Sequence, residues 1–257
     1  MRRKREGKIS QTLEQGLGIL DLYCGDESSF GLSEISRRLG VNKTTVYRYV
    51  TSLCDLGYLC KDNKDKNYSL GLKTIPLAHS FLQKANIVSQ IKPVVDEIHL
   101  QHDLHIDVGI MQNESIYLVY RRESKDTLAF LHFTTGTNLY SLATGKAALS
   151  FMDETAQETL IDQFELEPRT DFTITNKSDL RQEMAATKKR GYSVNREEFL
   201  PGLISLGAPI LDLRTSVVAG GVSFDSSTAK FTMDEFEEKY AGLLVELAKT
   251  LSVAISL

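Results

Sequence analysis

Thr44, Tyr47, Arg48 and Thr51 recur at i, i+3, i+4 and i+7, so on an α-helix they share one face. All four can hydrogen-bond, and no carboxylate stands anywhere between Lys43 and Leu53. That combination suits the major groove of DNA, where Arg grips guanine through two bonds and Thr bonds base edges or touches a thymine methyl. A helix face that meets only water usually mixes Glu with Lys, and this one does not. Lys43 and Thr45 at the start of the segment, Asn42 before it and Ser33 in the preceding segment complete the candidate DNA contacts on helices. Lys61, Lys64 and Lys66, a little further on, could reach phosphates, which position a protein without reading sequence.

Other groupings of reactive residues carry less. His99, His102 and His105 stand three apart, a clustering that metal ligands favour. His105 opens a strand pattern, however, so the three need not converge, and no metal site is expected. Gly145 and Lys146 resemble the end of a phosphate loop, but GxxxxGK[ST] is broken by Tyr140 and Ala147. Asn195, Glu197 and Glu198 could form an acid–base group, yet no nucleophile or paired base accompanies them. They read instead as loop and sheet-edge groups that shape a pocket, so no catalytic residue and no cofactor is expected. Cys24, Cys54 and Cys60 are odd in number and lack CxxC spacing, which fits a reducing compartment and no disulfide framework.

Charge separates the chain in two. Residues 1–70 hold 12 Lys and Arg against 9 Asp and Glu, and the remainder holds 18 against 25, within an overall charge of −4. A basic head on an acidic body indicates that only the head meets a polyanion. No apolar run approaches the roughly 18 residues of a spanning helix, and the basic start at Arg2, Arg3, Lys4 and Arg5 has no apolar stretch behind it. A cytoplasmic protein without membrane contact is expected. The basic start is either a charged tail or an arm that touches phosphates or a minor groove.

The elements that must position the DNA face follow from hydrophobic period. Leu13, Leu17 and Leu20 predict a first helix over 11–24. Leu32, Ile35 and Leu39 predict a second, with Ser33 available as a cap and Gly40 as an αL stop. Asn42 caps a third helix, whose Val46, Val50, Leu53 and Leu56 make the apolar stripe opposite the polar face. Two helices joined by so short a turn are a helix-turn-helix. Residues 57–61 and 67–70 read as short strands about a turn-rich loop, a β-hairpin wing.

The linker at 72–92 is helical in pattern, with Leu77, Phe81 and Leu82 apolar, and Pro76 marks its first turn or a kink. Beyond it a helix is expected from Pro93 to Leu100. Ile106/Val108/Ile110, Ile116/Leu118 and Leu128/Phe130 then alternate as strands do. Helices follow at 141–152 and 178–190, the second stopped by Gly191, then apolar segments at 203–211 and 217–224. A last helix opens on the capping box Thr232 to Glu235 and buries Phe236, Tyr240, Leu243, Leu247 and Leu251. Strands, helices, strands and a helix in that order predict an α+β body with a mainly antiparallel sheet.

QTLEQGLGILDLY, LSEISRRLGVNKTTVYRYVTSLCDLGYL and NYSLGLK resemble, element by element, the winged helix-turn-helix of the IclR family of bacterial transcription regulators. ATGKA at 143–147, KRGY at 189–192, NREEFLPGLISLGAPI at 195–210, VVAGGVSF at 217–224 and KFTMDEF at 230–236 resemble its effector domain. The resemblance implies a DNA-binding head at 1–71, a linker helix at 72–92 and, at 93–257, a GAF/PAS-like effector domain whose mainly antiparallel sheet is flanked by helices. It also implies a small-molecule pocket lined by Ala143, Thr144, Asn195, Leu203, Ser205 and Ser223, with Asp225 facing it if the strand register allows. The implied partners are a double-stranded DNA operator, an effector and a second copy of the chain, as a homodimer or homotetramer, with repression the commoner sense. The competing class is a small-molecule enzyme or ligand-binding protein whose N-terminal domain serves assembly only. An Asp225 facing the pocket would repel a carboxylate and favour a polyol, sugar or amine.

Overall fold

The computed structural model describes residues 10–25, 27–84, 87–112, 115–125, 135–136 and 138–255. They group into two compact units, Met1–Phe81 and Leu82–Leu257. The basic start at Arg2 to Arg5 and the expected strand at Leu128/Phe130 lie outside the described residues.

In the first unit the order is α1 (Gln11–Asp21), a 3₁₀ turn (Leu22–Cys24), β1 (Ser29–Phe30), α2 (Leu32–Leu39), α3 (Lys43–Asp55), β2 (Leu59–Lys61), β3 (Tyr68–Leu70) and most of α4 (Thr74–Lys84), which runs on past Phe81. α2 stops at Gly40, whose φ of +63° is the left-handed conformation that glycine adopts without strain. Two residues later Asn42 caps α3, its side-chain oxygen accepting from the Thr45 N–H at 2.9 Å. The turn between the helices is thus fixed at both ends by local chemistry. Ile19, Phe30, Ile35, Val46, Val50, Leu59 and Tyr68 close the core beneath. β1 adds a third strand to the wing, in the antiparallel order β1–β3–β2. At two residues β1 is too short to carry a period that a sequence reading could detect.

Three expectations for this unit are corrected. Ser33 does not cap α2; Gly31 holds that position and no side chain caps the helix. Leu13 and Leu17 are 60% and 51% exposed, and Ile19 supplies the buried side of α1 instead. Leu56 is exposed because it falls just past the end of α3, where the stripe has already turned away.

In the second unit the order is α5 (Ile87–His102), β4 (His105–Gln112), β5 (Ser115–Arg122), β6 (Thr135–Gly136), a 3₁₀ turn (Leu139–Ser141), α6 (Ala143–Ser150), α7 (Glu154–Gln163), α8 (Lys177–Arg190), β7 (Ser193–Arg196), β8 (Leu203–Asp212), β9 (Val217–Ser227) and α9 (Met233–Ala254). α5 starts six residues before the expected Pro93 and carries that proline inside, on its exposed side. The buried stripe Ile87, Ile91 and Val95 outweighs one lost N–H donor. The strands form one antiparallel sheet, ordered β6–β5–β4–β9–β8–β7.

Period two gives this sheet two unlike faces. Ile106 and Val108 of β4, Ile204, Leu206, Ala208 and Ile210 of β8, and Val222 and Phe224 of β9 join α5 and α9 in an apolar core. The intervening residues are His105, Asp107, Gly109, Ser205, Gly207, Gly221, Ser223 and Asp225. α6 lies on this second face, so close that a Cβ on Gly207 would stand 2.2 Å from the Ala143 carbonyl oxygen. On Gly221 it would stand 2.7 Å from that of Thr144. No other residue fits there. Among the described residues no helix is long and apolar enough to cross a membrane.

Candidate functional site

Two arrangements of polar side chains stand out, one on the surface of the first unit and one inside the second. On α3, Lys43, Thr44, Tyr47, Arg48 and Thr51 are exposed, while Val46 and Val50 on the opposite side are fully buried. Tyr47, at 53% exposure, is a large ring that this unit leaves in solvent. Among the described residues no carboxylate pairs with Arg48. The arginines of α2 differ, since Glu34 receives Arg37 at 2.6 Å and Arg38 at 2.7 Å. Those two guanidinium groups hold the Glu34 carboxyl down at about 2. Thr45 is half-buried with its N–H on Asn42, and Ser33 is exposed on α2. Lys61, Lys64 and Lys66 are exposed on the wing, whose tip is shaped by Asp62 and Asp65 accepting from the Lys64 and Asn67 N–H groups.

In the second unit the α6-side face of the sheet opens into a narrow cleft of about 480 Å³, its open mouth included. Strand register builds the wall. Asn195 pairs with Ser205, Ser205 with Asp225, and Asp225 with His105, giving one polar row across β7, β8, β9 and β4. One step along, Ser223 pairs with Asp107 and Asp107 with Arg121. Ala143 and Thr144 at the start of α6 face these rows, and Leu142, Phe199, Leu200 and Leu203 supply the apolar side. All seven residues expected to line a pocket therefore border one cleft. The register shift between Ile210 and Leu211 leaves Asp225 in register with Ser205, so its side chain borders the cleft.

Charges in the wall are held in pairs. The Arg121 guanidinium closes on Asp107 as a fork, Nε to Oδ1 at 2.7 Å and Nη2 to Oδ2 at 2.6 Å. His105 Nε2 stands 3.3 Å from Asp107 Oδ1 and 3.7 Å from Asp225 Oδ2, while its Nδ1 is buried without a partner among the described residues. Burial raises the Asp107 carboxyl, but Arg121 and His105 together bring it below the usual carboxylate range. Burial pushes Asp225 up to about 6, against the pull of His105. His105 is drawn down by burial and drawn up further by the two carboxylates, so its net shift is upward.

A second polar set braces the loop 196–202 over the cleft. Lys146, wholly buried, donates to the Val194 carbonyl at 2.5 Å and to Glu198 Oε1 at 2.6 Å. Burial raises the Glu198 carboxyl even with Lys146 beside it. Asn195 donates to the Ser141 carbonyl and accepts from the Glu198 N–H. Thr173 donates to the Glu198 carbonyl, and Gly202 N–H donates to Glu197. Asn195, Glu197 and Glu198 thus act as loop braces, as expected of them.

His105, Asp107 and Arg121 were not among the expected lining residues. A signal for the first two was present: in His105–Ile106–Asp107–Val108 two ionisable residues alternate with apolar ones inside a strand. The histidine trio itself disperses. His99 Nδ1 bonds the Leu104 carbonyl, His102 meets the Tyr240 ring edge-on, and only His105 reaches the cleft. Among the described residues the set with metal-ligating atoms is His105, Asp107 and Asp225, within 4.8 Å of one another. Arg121 already occupies both oxygens of Asp107 there.

A family model described as "IclR helix-turn-helix domain" matches residues 12–63, and one described as "Bacterial transcriptional regulator IclR C-terminal" matches residues 79–253. The HTH-type transcriptional regulator KdgR of Escherichia coli (strain K12) is 28% identical over 250 residues, 97% of this chain and 94% of its own length. Among solved structures, IclR of Thermotoga maritima matches with a TM-score of 0.69 at 27% identity, over 96% of this chain and 99% of its own. An IclR homologue of Microbacterium hydrocarbonoxydans complexed with 4-hydroxybenzoate has a TM-score of 0.75 at 16% identity, over 95% of this chain and 99% of its own, a likeness of fold.

Proposed function

The chain belongs to the IclR family of bacterial transcriptional regulators, and from that premise we propose how its two sites divide the work. The head binds a double-stranded operator through Thr44, Tyr47, Arg48 and Thr51 in the major groove. Ser33, Asn42, Lys43 and Thr45 stand at the helix ends nearest the backbone, and Lys61, Lys64 and Lys66 of the wing meet phosphates. The observation that carries this is the exposed, carboxylate-free face of α3, built on a buried core by a capped turn. A small molecule bound in the cleft, against Ala143, Thr144, Asn195, Leu203, Ser205, Ser223 and Asp225, alters that binding by as much as its affinity differs between the two states. That an IclR homologue was solved in complex with 4-hydroxybenzoate supports a small-molecule ligand for this chain as well.

We read the regulator as a cytoplasmic repressor, not an enzyme, organised as 1–71, 72–92 and 93–257 and working as a homodimer or homotetramer. Exposed Leu13 and Leu17 on α1, and Leu72, Ile75, Leu77 and Phe81 on and before α4, favour an apolar contact between copies. Two-fold symmetry then matches two half-sites of a pseudo-palindromic operator, about one helical turn apart or a multiple of it. Footprinting on the DNA flanking its own gene tests the reading. Two protected half-sites are expected, released or strengthened by an effector; no protected site at low salt, with any candidate effector, would refute it.

A further inference from the structure

The cleft wall says what kind of molecule it accepts. Among the described residues its one guanidinium, Arg121, is closed on both oxygens of Asp107, and its one imidazole, His105, faces Asp107 and Asp225. An incoming carboxylate would find every cation of the wall, among the described residues, already matched. It would stand against the Asp225 carboxylate in a partly enclosed cleft, where like charges repel more strongly than in water. An incoming ammonium would have to displace His105 from Asp225. What the wall offers an uncharged guest is different. Asp225 already accepts from the Ser223 hydroxyl at 3.3 Å, yet its two carboxylate oxygens retain lone pairs for a guest's hydroxyls, and the hydroxyls of Ser205, Ser223 and Thr144 can each still accept. O–H donors to a carboxylate make short, charge-assisted bonds without adding charge to the cleft. The side formed by Leu142, Phe199 and Leu203 meets carbon. The Asn195 amide, which would otherwise compete for hydroxyls, is engaged with Ser141 and Glu198. α6 begins at the cleft without a side-chain cap, and its first N–H groups can donate to a neutral oxygen as well as to an anion.

We propose that the effector is an uncharged polyhydroxylated molecule, a sugar or sugar alcohol, whose neighbouring hydroxyls donate to Asp225 while its carbon face lies on Phe199 and Leu203. This rests on the cleft being the effector site. Asp225 is then the residue that sets the ligand's charge class, by accepting hydroxyls and refusing a second anion.

Calorimetric titration of the full-length protein with matched sets on one carbon skeleton tests it. Xylose and xylitol are compared with xylonate, and glucose and glucitol with gluconate and glucosamine. At least one uncharged member is expected to bind ten times more tightly than its acid or amine counterpart. Asp225→Asn should weaken that member by roughly 10- to 100-fold, the loss of a hydrogen bond to a charged group. Ser205→Ala, which keeps every charge of the wall and removes one hydroxyl, should weaken it less. Tighter binding of an acid or amine, or no binding by any uncharged member, overturns the charge class. If a ligand from any set binds and its affinity ignores Asp225→Asn, Ser205→Ala and Thr144→Val alike, the cleft is not its site, and the effector reading falls instead.

Discussion

The outward face of α3 and the polar rows of the large sheet are both lines of hydrogen-bonding side chains at the period of their element, and they are held in opposite ways. On α3 the functional groups are exposed and await a partner from outside the chain. In the sheet they are buried and partner one another, Arg121 with Asp107 and His105 between two carboxylates. The difference teaches that the first site can be altered one residue at a time, whereas the second behaves as a unit in which each group's charge depends on its neighbours. Stability measurements on variants of each region test that contrast.

The largest effect is expected at Arg121. Arg121→Ala leaves a buried Asp107 carboxylate without its fork, and breaking one side of a buried pair costs about 3–5 kcal/mol. Denaturant unfolding of the full chain should show that loss. The double change Arg121→Met with Asp107→Asn, which strands no charge, should recover most of it. A single Arg121→Ala variant as stable as the parent would break the comparison, because the sheet row would then tolerate change as the helix face does.

Next in size is a pH effect that the helix face lacks. Asp225 is pushed up to about 6 and His105 is raised from its ordinary value, so the folded protein holds both protons more tightly than the unfolded chain. Their contribution is therefore present in acid and is lost as pH rises, through about 6 for Asp225 and then through the raised range of His105. Asp107 runs the other way: its carboxyl is lowered, so its contribution is lost only as pH falls into strong acid. Asp225→Asn should flatten the decline in stability between about pH 4 and 6, an effect of at most about 3 kcal/mol at 1.4 kcal/mol per pH unit. An unchanged slope in that variant would mean Asp225 is not the group that titrates.

These properties also explain what the sequence disclosed. The α3 face was legible because exposure leaves a clean 3.6-residue period and because absent carboxylates are visible in a string of letters. Gly40, Asn42, Gly191 and the Thr232–Glu235 box were legible because each acts within a few residues of itself. The cleft was legible only in part. Thr144, Ser205 and Ser223 came through the family resemblance, but the fork of Arg121 on Asp107 depends on a pairing between strands that no local pattern records. Asp225 turned on a register set by the shift at Ile210 and Leu211, far from the aspartate itself. Leu13 and Leu17 misled for a related reason: an apolar stripe states that something covers it, without saying whether that is the same chain. The start of α5 lies six residues before Pro93 because tertiary burial of Ile87 and Ile91 overrides the helix-start signal that a proline gives locally.

The smallest change in stability, and the sharpest form of the contrast, belongs to Arg48. Among the described residues it has no carboxylate partner, and it stands exposed on a helix whose buried side is Val46 and Val50. Truncating it removes nothing the fold uses, so Arg48→Ala should unfold within about 0.5 kcal/mol of the parent. Operator affinity should nevertheless fall by about 1–3 kcal/mol, with preference relaxed at one base pair, because a base-reading contact is lost. Lys64→Ala on the wing supplies the control: a phosphate contact should weaken all DNA alike and lower the salt slope by about one. Mobility-shift titrations against operator and scrambled duplexes at several salt concentrations separate the two outcomes. If Arg48→Ala weakened both duplexes equally, Arg48 would be positioning the head and not reading it. If it also destabilised the fold as Arg121→Ala does, the separation between an exposed site and a self-paired one would not hold for this molecule.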